Sequence, residues 1–312
     1  MIKPLSPALG NYVTGNAFFG RDTELALLRS RLLSRQHVTL VAQRRMGKTS
    51  LCKESARRYG EEFSFFYVDL QHKRDGADAV AAIAAAAREH VGAWTKVRTV
   101  FENLVGAVDS VGNENLSLRL RDAIAGDWRP QGERVLRALE GLPAPAVLIL
   151  DELPILLTNM MLDRDGRWRQ GGREAAAELL EWLRASCIAA QGQVVVVVTG
   201  SVGLGPVAAR AGASGALNHY AEVSLGPWDA PVAMAAAEAL LANHGLTLEA
   251  DAAEEMVICL GSCIPYHVQL LVDHVAQDAT RARRASVGQG TTTHRTPRVV
   301  RWAVTLQHLR AG

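Results

Sequence analysis

Short continuous apolar runs alternate along this chain with longer stretches in which Leu and Ala recur at helical spacing. The runs predict five strands: 37–41 (HVTLV), 63–70 (FSFFYVDL), 146–150 (AVLIL), 194–198 (VVVVV) and 222–225 (EVSL). Val194 to Val198 is apolar without alternation, as in a strand covered on both faces of a parallel sheet. Helical spacing predicts helices over 22–33, with Leu25, Leu28 and Leu32 inward, then over 48–59, 77–90, 132–142 and 174–190. Asp22 is placed to cap the first, and Leu179, Leu180, Leu183 and Cys187 form the inner stripe of the last. Strands separated by helices of this length imply a parallel sheet with crossover helices.

Some stretches break the rhythm. Residues 1–21 are rich in Pro and Gly and carry no period. Between 92 and 130 the pattern weakens to one helix over 95–108 and a short strand over 115–120, which reads as an insertion. Residues 163–172 (DRDGRWRQGG) are a polar, Gly-rich loop, and 202–219 is Gly- and Ala-rich. Beyond Pro227 the chain turns all-helical, with helices over 231–243, 251–260 and from Pro265 through Val275. The tail 279–312 has no clean period apart from a short helical stretch over 299–309. The domains expected are therefore 1–226 with the sheet, 227–278 as a small helical lid, and 279–312 as a basic tail.

Composition narrows the class. A 312-residue chain with 48% hydrophobic and 21% charged residues is an ordinary globular protein with room for a large core. The net charge of +2 conceals an asymmetry, because residues 279–312 hold seven Arg and no acid. Of 34 basic residues, 27 then remain against 32 acidic ones, so the body is mildly acidic, at −5. That balance and an aromatic content of 5% argue against a broad nucleic-acid-binding face on the body. Cys52, Cys187, Cys259 and Cys263 lack the paired spacing of a zinc site and read as reduced, buried thiols in a cytoplasmic protein. No run approaches a membrane span, and the first residues lack the apolar core of a signal peptide.

The chemistry concentrates where strands end. After the first strand comes Ala42-Gln43-Arg44-Arg45-Met46-Gly47-Lys48-Thr49-Ser50. Apart from Ala42 in place of the first Gly, this is the G-x-x-x-x-G-K-[ST] loop that cradles a polyphosphate, the P-loop. Backbone amides and a helix N-terminus face the phosphates. Gly47 sits where φ is positive or a side chain would collide, Lys48 reaches the β- and γ-phosphates, and the Thr49 hydroxyl is a ligand for Mg²⁺. A methyl at Ala42 is tolerated where its φ is negative. The third strand ends in Asp151-Glu152, the acidic pair of a Walker B motif. Asp151 would hold Mg²⁺ through its water shell, and Glu152 would direct the attacking water.

The fourth strand ends in Thr199-Gly200-Ser201. Ser201 is the first candidate to contact the γ-phosphate or the water, with Thr199 second; the competing role is to cap the next turn. Arg210 reads as a solvated arginine, with a contact to a γ-phosphate as the alternative. Trp182 reads as packing. His267 and His274, seven apart with no third ligand, read as core or surface histidines.

Five stretches occur in an order that resembles the prokaryotic P-loop ATPases of the AAA+/STAND group, in particular the archaeal-type ATPase family. They are FFGRDTEL (18–25), LVAQRRMGKTSL (40–51), LILDELPIL (148–156), VVTGSVGL (197–204) and GSCIPYHVQLL (261–271). The resemblance covers about 10–278. It implies a three-layer α/β fold with a parallel five-stranded sheet, order 5-1-4-3-2, and a C-terminal helical lid. It implies ATP and Mg²⁺ as cofactors, with phosphate and metal roles for Lys48 and Thr49, metal binding by Asp151, water activation by Glu152 and a sensor role for Ser201. The activity implied is Mg²⁺-dependent ATP hydrolysis in a switch or motor. The alternative is a nucleotide-dependent binding module with little hydrolysis, or a DNA-associated ATPase resting on the tail alone. A protein partner or a second copy of the chain is open.

Overall fold

In the computed structural model, the described residues are 5–90, 126–281 and the single positions 121, 124, 286 and 287. The helix expected over 95–108, the strand over 115–120 and the helix over 299–309 lie outside them. Contacts divide the chain into two compact units. One comprises 24–42 and 55–224; the other comprises 1–23, 43–54 and 225–312.

The first unit is built on a parallel sheet. In chain order its strands are β1 (His37–Ala42), β2 (Ser64–Asp69), β3 (Ala146–Asp151), β4 (Val194–Gly200) and β5 (Tyr220–Leu225). The spatial order is β2-β3-β4-β1-β5, the arrangement implied by the sequence. β1, β3 and β4 run parallel in one register, with Leu40 opposite Thr199 and Ile149 opposite Val197. β3 and β4 are buried at every position, which is what their unbroken apolar runs demand. The helices of this unit are α1 (Asp22–Leu33), which begins two residues before its boundary, α3 (Gly76–His90), α4 (Trp128–Glu140), α5 (Leu153–Met161), α6 (Gly172–Ala189) and α7 (Leu204–Ala211). α2 (Lys48–Tyr59) passes from one unit to the other.

One contiguous core joins β2, β3 and β4 to α3 through α7. Trp182 lies within it, edge-on to Trp128 at 5.2 Å, so its role is packing. A Cβ on Gly132 would come within 2.4 Å of the Trp182 ring, so only glycine lets α4 approach this closely.

Three helices depart from the sequence pattern. α5 (LPILLTNMM) is apolar apart from Thr158 and Asn159, so it shows no clear polar stripe, and its buried residues include Leu153, Leu156, Leu157 and Met160. α7 carries Gly205 and Pro206 in its first turn, where neither breaks a helix. α4 starts at Trp128 rather than 132, with Pro130 in its first turn.

The second unit holds the helices α8 (Ala230–Ala242), α9 (Ala250–Leu260) and α10 (Pro265–Arg281). They share a separate core that includes Trp228, Leu240, Met256 and Val272. A two-residue parallel pair, β6 (Thr247–Leu248) with β7 (Ser286–Val287), ties the chain beyond α10 back to the turn before α9. The N-terminal segment straps across this unit. Leu5 N–H donates to Ala239 O, and Ala8 N–H donates to Gln269 Oε1. Among the described residues no helix is long and apolar enough to cross a membrane. The four cysteines are free; three are buried, but Cys259 is exposed.

Candidate functional site

β1 delivers the chain to its carboxyl end at Ala42, which is in extended conformation and not at positive φ. The methyl there costs the backbone nothing. The loop that follows belongs to the second unit. Gln43, Arg44 and Arg45 are exposed, whereas the Met46 side chain turns inward. Two residues adopt left-handed conformations, Arg45 (φ 72) and Gly47 (φ 93). At Gly47 nothing lies within 4 Å of where a Cβ would stand, so the glycine answers to backbone conformation and leaves open space above the loop. α2 begins at Lys48, a buried residue whose Nζ donates to the Gln43 carbonyl across the loop at 3.2 Å.

Side chains of this unit hold the loop. Arg21 is buried and donates from Nη2 to Met46 O (3.3 Å) and Gly226 O (2.5 Å). The Arg45 guanidinium stacks 3.9 Å from the centre of the Tyr266 ring, in the GSCIPYH stretch. The Ser50 hydroxyl accepts from Val13 N–H (3.1 Å), and Glu54 Oε2 accepts from Gly15 N–H (2.7 Å), so the N-terminal strap is fastened to α2. Sequence reading placed Arg45 and Ser50 in the phosphate loop without these partners. Tyr266 and Arg21 lie inside quoted motifs, but a pattern carries no contact.

In the first unit, polar groups gather at the carboxyl edge of the sheet. Asp151 ends β3 and is buried. Its Oδ1 accepts from Thr199 Oγ1 at 2.6 Å, and its Oδ2 accepts a short hydrogen bond from the Tyr67 hydroxyl. Glu152 adopts φ 59, a left-handed conformation that costs a non-glycine residue energy and turns the chain into α5. Its Oε2 accepts from Ser201 N–H (2.9 Å) and from Ser201 Oγ (3.0 Å). The two candidate hydroxyls therefore divide the acidic pair between them, Thr199 holding Asp151 and Ser201 holding Glu152. Tyr67 was not foreseen, because its reach to Asp151 depends on how β2 registers against β3, with Tyr67 beside Ile149.

The opposite edge of the same sheet gathers another polar cluster. His37 opens β1, His219 precedes β5, and Cys187 lies in the last turn of α6. Their ligand atoms all lie within 4.8 Å of one another, close enough for a metal ion. However, His37 Nδ1 accepts from Val196 N–H at 3.0 Å, which puts the ring proton on Nε2 and leaves no free lone pair for a metal. Burial, and then His219, lower the His37 pKa to about 4. Burial pushes the Cys187 thiol up to about 12 against the opposing bond with Tyr220, and raises Tyr220 well above its usual value. Burial also lowers His219. This edge is a neutral, packed polar cluster.

No protein-family model matches the chain, and no curated protein does. Solved structures do. A Walker-type ATPase of Pyrococcus abyssi is similar over 97% of this chain and 79% of its own, at 17% identity and a TM-score of 0.61. Cdc6p of Pyrobaculum aerophilum is similar over 89% and 67%, at 14% identity and a TM-score of 0.52. At such identities the likeness is one of fold: the chain has the P-loop NTPase fold of these proteins.

Proposed function

We propose that this chain binds ATP with Mg²⁺ and hydrolyses it, as a nucleotide-driven switch or motor. The observation that carries the reading is the loop after β1. It has open space over a positive-φ Gly47, and Lys48-Thr49 begin the next helix. In this proposal the amides of residues 42–50, Ala42 to Ser50, surround the phosphates. Lys48 leaves the Gln43 carbonyl for a phosphate oxygen, a stronger charge-assisted partner. Thr49 and Asp151 are the metal-side residues. Asp151 fits that role because each of its oxygens keeps a lone pair beyond the one taken by a hydroxyl. Mg²⁺, when bound, neutralises charge on the phosphates. Glu152 positions and deprotonates water, and Ser201 fixes the Glu152 carboxylate until that step.

A second reading, a binding module with slow turnover, draws on the same contact. A Glu152 carboxylate that accepts twice from Ser201 is restrained in its access to water. The primary test is MgATP binding by calorimetry on the parent and on Lys48→Ala. The variant is expected to bind about a hundredfold more weakly, as befits loss of a charged hydrogen bond of about 3 kcal/mol. Equal binding by the two proteins, or none by the parent, would sink the assignment.

A further inference from the structure

The loop between α5 and α6 is a built hairpin. Leu162 and Trp168 form an antiparallel bridge, and Asp163 N–H donates to Arg167 O at 2.9 Å. Asp163 Oδ1 accepts from the N–H groups of Asp165 and Arg167, both at 2.9 Å, so this carboxylate is spent on the turn. At the base, a Cβ on Gly172 would meet Met160 O at 2.6 Å, and Arg169 Nε donates to Leu162 O. The tip is thus held on a defined frame.

What the frame presents is unusual for this surface. Trp168 is 56% exposed, with the Arg173 guanidinium 5.1 Å from its ring centre. Arg164, Arg167 and Arg169 are exposed on the same hairpin and Arg173 just beyond it, and Arg173 Nε donates to the backbone carbonyl of Arg210. Among the described residues, none of Arg164, Arg167, Arg169 and Arg173 has a carboxylate within ion-pair distance. In the same unit Arg29, Arg121, Arg129, Arg137 and Arg184 all do. Outside the tail the chain is net acidic, whereas residues 163–174 carry four arginines against Asp163, Asp165 and Glu174, with the Asp163 carboxylate taken up by the turn.

The hairpin also has a defined place. α6 ends four residues before β4 starts, and its Cys187 reaches His37 at the amino edge of the sheet. Arg173, fourteen residues earlier, therefore stands about 21 Å up the helix, toward the carboxyl edge. Consistent with this, Asn159 near the end of α5 donates to Gln71 O and Lys73 O, just past the carboxyl end of β2.

We infer that the Trp168 hairpin is a binding surface for single-stranded nucleic acid. An exposed indole offers a stacking face to any base, and the surrounding guanidinium groups take the phosphates on either side. An acidic peptide would use the charge but has no need of the indole. A lipid surface would need more apolar area than one indole beside the half-buried Leu162. Stacking is indifferent to sequence, so the surface selects strandedness and charge rather than a base code.

The test is fluorescence anisotropy of the full chain with a labelled 20-nucleotide oligo(dT), at several salt concentrations and without nucleotide. Trp168→Ala is expected to weaken binding about tenfold, and Trp168→Phe to restore most of it. The double change Arg164→Gln with Arg167→Gln, both at exposed tip positions, is expected to flatten the salt dependence by about 1.4 in log–log slope. Thermal melting of each variant serves as the folding control. Unchanged affinity in well-folded Trp168→Ala overturns the inference, and so does oligo(dT) binding that poly-glutamate displaces equally from parent and variant. The second result would mark the surface as an acidic-protein contact.

Discussion

The two edges of the central sheet use polar residues in opposite ways. At the carboxyl edge, Asp151 and Glu152 are carboxylates held by neutral hydroxyl and amide donors, with Glu152 in a left-handed conformation. At the amino edge, His37, Cys187, His219 and Tyr220 are packed together and held neutral. The first arrangement holds carboxylate oxygens in place at the strand ends. The second packs neutral groups against one another. On the function proposed above, the contrast separates a chemical edge from a structural one within a single sheet.

The largest effect that would sharpen this contrast is on turnover. Glu152→Gln keeps the size and a hydrogen-bond acceptor for Ser201 but removes the proposed base. Phosphate release under saturating MgATP is expected to fall by about 10²- to 10⁴-fold while nucleotide binding persists. An equal, near-zero rate in parent and variant would favour the slow-turnover module instead.

Thr199→Val tests whether the buried Asp151 charge depends on its donor. The change leaves Oδ1 without its 2.6 Å partner, so denaturant unfolding at pH 7.5 is expected to show a loss of about 2 kcal/mol. A loss below about 0.5 kcal/mol would mean that Tyr67 or water suffices.

The amino edge should respond to pH through His37. The folded pKa of His37 is depressed to about 4, whereas the unfolded value is near 6.5. Its contribution to stability is therefore full above pH 6.5 and is lost as pH falls toward 4. At pH 5 the loss amounts to about 2 kcal/mol. His37→Gln, which can still accept from Val196 N–H, should show a correspondingly shallower decline between pH 7.5 and 5. Parallel unfolding curves for parent and variant across that range would place the pH response elsewhere.

Much of the sheet was legible because buried parallel strands leave unbroken apolar runs, as in Val194 to Val198, and because charge follows them at fixed places. Gly47 could be read because a positive-φ backbone position favours glycine, whereas the left-handed conformation of Glu152 could not, since its residue type gives no sign of it. α5 could not, since Thr158 and Asn159 alone interrupt its apolar run and leave no polar stripe to mark its period. Nor could the pairing of Tyr67 with Asp151 or of Arg45 with Tyr266, which joins residues 84 and 221 positions apart. Contacts at that separation follow from register and packing, which a one-dimensional pattern does not encode.

The short β6–β7 pair sets a boundary for anyone who trims this protein. α10 continues to Arg281, Glu249 N–H donates to Val287 O, and the Val287 side chain is fully enclosed. The arginine-rich extension is thus not one detachable piece starting at 279. Its first nine residues include a plug for the helical unit, and a cut made before Val287 would remove it.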